Sequence, residues 1–210
     1  MAFQTWLAFC AIAAINIFSP GPAILLAISN GATKGLFSAF CQALGNAIGL
    51  FVVSLVSIFG VGAILATSAM AFSIVKLAGA TYLIFLGIKQ IRSRNETAYL
   101  NANEQQTGSN TKVFLEGFTI AVTNPKAILF FIALFPLFLD QQRDIISQFL
   151  IMTTSFQVIS IASLTGYALI SRSAKKLFQR KSFMRRFKTV TGSIFIVLGL
   201  GLLKVSAAQR

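Results

Sequence analysis

Apolar residues run along this chain in long stretches separated by short polar ones. Six stretches are long enough to cross a bilayer, at about 3–29, 36–64, 70–91, 113–139, 145–171 and 189–207. A crossing takes about 20 mostly apolar residues, because ~30 Å of hydrocarbon is spanned at about 1.5 Å per helical residue. The pattern predicts an all-α polytopic membrane protein with six transmembrane helices. The second stretch contains Gly60-Val61-Gly62, where the helix could tilt or take a short interfacial turn. The first has no basic n-region and runs straight into Ser19-Pro20-Gly21-Pro22. It therefore reads as a retained helix and not as a signal peptide.

Two polar segments organise the rest. Residues 92–112 form a linker between a first three-helix unit, 1–91, and a second, 113–210. Residues 172–188 hold eight lysines and arginines and no acid, with Phe178, Phe183 and Phe187 interleaved. Beside two apolar spans, such a segment sets topology and attracts anionic lipid. Part of it fits an interfacial amphipathic helix, and no nucleic-acid partner is expected. The loops after spans one, three and five carry thirteen basic residues, against three on the opposite side. The basic loops should be cytoplasmic and both termini periplasmic, with Trp6 in the outer aromatic belt.

Composition narrows the function. Hydrophobic residues make up 56% of the 210, and mean hydropathy is +0.78. Charged residues make up 11%, against ~25% in ordinary soluble domains. A soluble enzyme and a disordered chain are excluded. With no histidine and only Cys10 and Cys41, neither a zinc site nor a Ser–His–Asp set can be written. No enzyme activity, metal or cofactor is expected. The five acids are Glu96, Glu104, Glu116, Asp140 and Asp144. None forms an intramembrane carboxylate pair, which argues against a divalent-cation cage.

An internal repeat carries the functional reading. Ser19-Pro20-Gly21-Pro22-Ala23-Ile24-Leu25 in span one matches Thr123-Asn124-Pro125-Lys126-Ala127-Ile128-Leu129 in span four, 104 positions later. Each has a polar residue, a prolyl break and then Ala-Ile-Leu. Halves of three spans each sit in opposite orientations, the 3+3 inverted repeat of many secondary transporters. Proline lacks an N–H and clashes with the preceding turn, so helices one and four should be broken. Gly21 adds backbone freedom. Half-helices starting near Pro22 and near Lys126 would point free N–H groups inward, where they favour an anion such as a carboxylate. Lys126 lies near mid-membrane, where a charge is costly unless paired or hydrated. Either it meets a substrate carboxylate, or it ties down carbonyls freed in its own helix.

Pro20-Gly21-Pro22, Gly45-Asn46-Ala47-Ile48-Gly49, the run from Gly79 to Gly87, Gly117-Phe118, Asn124-Pro125-Lys126-Ala127 and Phe135-Pro136 together resemble the LysE/RhtB family of amino-acid exporters. The resemblance covers essentially the whole chain. It implies a six-span bacterial inner-membrane exporter of amino acids or close derivatives, driven by an ion gradient, most simply the proton motive force. Ala23 and Leu137 stand where the family often carries polar residues, which implies a less polar cargo.

The remaining polar residues divide between packing and site. Gly45 and Gly49 suit close helix packing. Gln42 and Asn46 share one face of span two, where they bond across helices or line a cavity. Asn16, four residues before Pro20, would bond a freed carbonyl or a substrate amine. Tyr82 and Gln157, the latter near Thr153 and Ser160, are further candidates, each with a plain hydrogen-bonding alternative. The candidate substrate site is thus Asn16, Pro20, Gly21, Pro22, Gln42, Asn46, Tyr82, Asn124, Pro125, Lys126 and Gln157. Glu116 is the one acid placed for a proton relay, although capping or an interfacial role also fits it. Rival readings are a thiol-redox carrier using Cys10 and Cys41, and a non-transporting membrane partner protein. Homodimerisation would suit so small a transporter.

Overall fold

A computed structural model describes residues 1–65, 69–92, 109–140, 142–171 and 180–204. Every element among them is helical. In chain order they are α1 (Phe3–Phe18), α2 (Pro22–Thr33), α3 (Leu36–Leu65), α4 (Ala69–Arg92), α5 (Asn110–Thr123), α6 (Pro125–Leu129), a π-helical turn (Phe130–Leu134), a 3₁₀ turn (Phe135–Phe138), α7 (Ile145–Leu169) and α8 (Lys181–Lys204).

Both prolyl breaks are present. The axes of α1 and α2 differ by 60°, and those of α5 and the segment Pro125–Phe138 by 49°. Residues Leu36–Ile58 of α3 and all of α7 are long and apolar enough to cross a membrane. Each bent pair meets the same test as one broken span, which makes two to four spans among the described residues. The expected spans at 70–91 and 189–207 overlap α4 and α8, each 24 residues long, and neither helix meets that test over the described residues.

Three boundaries depart from the sequence reading. Helix α3 runs through Gly60–Gly62 without a turn. Beyond the second break the chain is not a plain half-helix, since five α-helical residues give way to the π and 3₁₀ turns. Pro136 lies in the first turn of the 3₁₀ segment, where its missing N–H costs nothing. Helix α8 starts at Lys181, so part of the basic segment continues the last helix directly. Within it Phe183 and Phe187 stack at 5.8 Å, and Lys188 is buried. The other residues of the two expected polar segments, 93–108 and 172–179 with Phe178, lie outside the described residues.

Glycine sets the closest helix pairs. A Cβ on Gly45 would collide with the Phe114 carbonyl of α5, and one on Gly117 with the Gln42 carbonyl of α3. One on Gly49 would come within 2.6 Å of Ala121 Cβ. Small residues let α3 and α5 approach backbone to backbone, the packing role expected of Gly45 and Gly49. Gly87 of α4 and Gly192 and Gly199 of α8 bring α4 and α8 together in the same way. Between α2 and α3 the chain turns at Gly35, whose φ of 89° a side chain would strain. Just before it, Lys34 Nζ stands 3.9 Å from Glu116 Oε2 on α5. Helix α7 packs against α1, α2 and α3.

Two apolar clusters fill the interior. The larger is phenylalanine-rich. Phe9 stands edge-on to Phe135 at 5.8 Å, and Phe156 packs against Phe130 at 5.0 Å and Phe131 at 4.9 Å. The smaller joins Ile24, Leu25 and Ile28 of α2 to Ala43, Leu164 and Met184.

Candidate functional site

The first break is built around Ser19. Its N–H closes α1 on the Ile15 carbonyl at 3.1 Å, and its own backbone is extended at φ −66°, ψ 129°. Pro20 and Pro22 supply no N–H, so the ladder cannot continue across them. Gly21 is fully extended (φ −167°, ψ −179°), a conformation any residue adopts, so backbone freedom is not what this glycine contributes. Helix α2 then starts with Pro22 at its first position, and no side chain among the described residues caps its N-terminus. The N–H groups of Ala23 and Ile24, both on the cavity wall described below, belong to that open end.

The second break is closed differently. Asn124 caps α6 itself, its Oδ1 accepting the Lys126 N–H at 3.1 Å. The open N-terminus expected near Lys126 is therefore already occupied. The Lys126 side chain instead crosses to the other break, where Nζ donates to the Ser19 carbonyl oxygen at 2.9 Å. The sequence reading offered this lysine a substrate carboxylate or the freed carbonyls of its own helix; the carbonyl it holds here belongs to span one. Tyr82 OH donates to the Pro125 carbonyl at 3.2 Å, and Ser57 Oγ donates to the Phe131 carbonyl in the π turn. Carbonyls in the irregular backbone of the two breaks thus find protein partners, the condition for such backbone to persist in a membrane.

Between the breaks lies a cavity of about 50 Å³. At roughly 10–15 Å³ per water on that measure, it has room for a few waters. Asn16, Ser19, Gly21, Asn46, Asn124 and Lys126 supply its polar wall, and Leu50, Phe156 and Leu164 part of its apolar one. The large cluster contributes Leu50 and Phe156, and the small one Ile24 and Leu164, so the cavity lies between them. Asn16 is 3% exposed and its Oδ1 has no partner among the described residues. Asn46 Nδ2 donates to Ser160 Oγ at 3.2 Å.

Five of the eleven sequence candidates thus meet at one cavity: Asn16, Gly21, Asn46, Asn124 and Lys126. The prolines shape the breaks without lining it. Gln42 is fully buried beside it, donating to the Ala23 carbonyl at 3.1 Å and accepting from Asn30 at 3.4 Å. Gln157 reaches the Ala47 carbonyl at 3.5 Å, an interhelical bond off the cavity wall. Sequence reasoning passed over Ser19 as a wall residue and missed Gln90. The Gln90 amide donates to Ser19 Oγ at 2.9 Å. A glutamine beside the basic end of a span gives no periodic signal that it turns inward. Cys10 and Cys41 are both free thiols, and no group of three or more metal-ligating side chains occurs among the described residues.

Residues 14–206 match the family model described as LysE type translocator. The chain belongs to the LysE type translocator family. Among the relatives of this translocator, a Vibrio cholerae protein named uncharacterized membrane protein is 33% identical over 208 residues, covering 99% of each chain. The homoserine/homoserine lactone efflux protein of Salmonella typhimurium is 30% identical over 199 residues, covering 95% of this chain and 96% of its own. A Bacillus subtilis membrane protein is 26% identical over 201 residues, covering 92% and 96%. No solved structure matches. The family and the apolar helices make this translocator a multi-pass membrane protein.

Proposed function

We propose that this translocator exports an amino acid or a closely related small zwitterion, using the cavity between its two breaks as the substrate site. The observation that carries the reading is the bond from Lys126 of the second break to the Ser19 carbonyl of the first, at the wall of a small cavity with polar and apolar sides. Two broken helices back to back at one cavity are the arrangement of secondary transporters. The efflux activity in the name of the Salmonella relative supports the direction.

The chemistry assigns two poles. The open N-terminus of α2 and the Lys126 ammonium favour a carboxylate or a polarised carbonyl. Asn16, Asn46 and Ser160, all on the cavity wall, offer oxygen acceptors to an ammonium. Leu50, Phe156 and Leu164 suit a short, weakly polar side chain. In this account six spans form a 3+3 inverted repeat, 1–91 and 113–210, in the bacterial inner membrane with both termini periplasmic. Packing of α3 on α5, of α7 on α1 and α2, and of α4 on α8 supports that symmetry. One half rocks against the other, opening the two apolar clusters in turn. Proton motive force drives export, and anionic lipid meets the basic residues of 172–188.

The test is efflux from bacterial cells preloaded by dipeptide feeding, with homoserine, its lactone, threonine, leucine and lysine on the panel. Faster release of at least one solute than from empty-vector cells supports the reading. Release equal to empty vector across the panel refutes it. Homoserine and its lactone share the ammonium and differ in the free carboxylate, so their ratio reports which pole dominates.

A further inference from the structure

A line of buried side chains runs from α8 through α4 to both breaks. Thr191 Oγ1 of α8 donates to the Phe187 carbonyl at 2.9 Å and receives the Gln90 amide at 3.4 Å. Gln90 of α4, 6% exposed, directs the same Nε2 to Ser19 Oγ at 2.9 Å. Ser19 is fully buried, and its carbonyl oxygen holds the Lys126 ammonium at 2.9 Å. Gln90 is not on the cavity wall. Its amide reaches the cavity wall through Ser19.

Ser19 has unusual leverage. It sits in extended backbone after α1 and before Pro20. A side-chain bond on one side and an ammonium on the other therefore orient its peptide group. A displacement of the Ser19 residue through its side-chain bond would turn the carbonyl and, with it, the point where Lys126 rests. The line also crosses twice between the two three-helix units, from Thr191 to Gln90 and from Ser19 to Lys126.

We propose that Gln90 is a positioning residue: acting through Ser19, it sets where Lys126 presents its ammonium to the cavity and so ties substrate affinity to the packing of α4 on α8. The proposal rests on reading the cavity as the substrate site. It does not require Gln90 to touch substrate.

The test is a double-mutant cycle. Gln90→Met keeps length and flexibility and removes the donors. Ser19→Ala removes Oγ and leaves the Ser19 carbonyl in place. In vesicle transport of the best panel solute, each single variant should raise the half-saturating concentration roughly tenfold and keep the maximal rate within about twofold, and the double variant should go no further. A second readout needs no transport. Reductive methylation of Lys126 by formaldehyde and cyanoborohydride, followed by mass spectrometry of the purified protein, should quicken to the same degree in both single variants. Additive effects of about a hundredfold in the double variant, or unchanged Lys126 methylation in both singles, would overturn the proposal. If wild type moves no solute while methylation responds as stated, the exporter reading fails and the Gln90–Ser19–Lys126 linkage stands.

Discussion

The Lys126 ammonium lies 2.9 Å from the Ser19 carbonyl oxygen, joining two chain breaks that are 107 residues apart in sequence. Each break creates a need that the other meets. The prolyl break leaves a carbonyl free after α1, and a partly buried lysine requires an oxygen partner. The bond also brings the cation to the wall that carries the open end of α2, concentrating positive potential on one side of a small cavity.

The α3–α5 crossing depends on hydrogen-only side chains. Gly117→Ala places a methyl against the Gln42 carbonyl, and Gly49→Ala places one 2.6 Å from Ala121 Cβ. Overpacking of this kind costs about 1–3 kcal/mol. Thermal unfolding in detergent should show both variants less stable than wild type. Gly166→Ala and Gly201→Ala, which meet nothing within 4 Å, should unfold with wild type. Equal stability in all four would mean that α3 and α5 are not in backbone contact.

Glu116 pairs with Lys34 at 3.9 Å, and both side chains keep some exposure, 28% and 11%. Such a pair is worth about 0–1 kcal/mol. Glu116→Gln should leave both stability and the pH dependence of efflux close to wild type. Loss of the pH dependence would instead make Glu116 the proton carrier.

Asp144 caps α7, accepting the Ser147 N–H at 2.8 Å. Hydrogen bonds from the Ser147 side chain and then its backbone hold the carboxyl below its ordinary value. A carboxyl lowered on folding stabilises above its unfolded-state value, and that stability is lost as the pH falls through the folded value. Asp144→Ala should melt earlier than wild type at neutral pH, with the gap closing below about pH 4. A gap independent of pH would remove the charged cap from the account.

Cys10 and Cys41 are free thiols on different helices, α1 and α3. The Cys10→Ser, Cys41→Ser double variant should export at the wild-type rate. Loss of export at normal protein level would revive the thiol-carrier reading.

Most of the helical order was legible because spans and prolyl breaks are written in runs of residues. Pro20, Pro22 and Pro125 mark the breaks, and Gly45 and Gly49 mark a close crossing, by rules local to the chain. What lay hidden depends on side-chain rotamers and on partners far away. The capping of α6 by Asn124 turns on one side-chain rotamer. The π turn after Leu129 sits in an apolar run with no breaker until Pro136. Helix α8 extends through Lys181–Lys188 with Met184 buried in the smaller apolar cluster, a burial that the local polarity conceals. Gln90, Gln157 and Tyr82 were similar as mid- or end-span polar residues, and only tertiary packing separates the one bonded to Ser19 from the others.

The most direct measurement compares efflux by wild type and Lys126→Ala in preloaded cells, with membrane protein levels matched. The account predicts release of the transported solute by wild type and release at the empty-vector rate by Lys126→Ala. Undiminished efflux by the variant would contradict the claim that substrate passes through the cavity joining the two breaks.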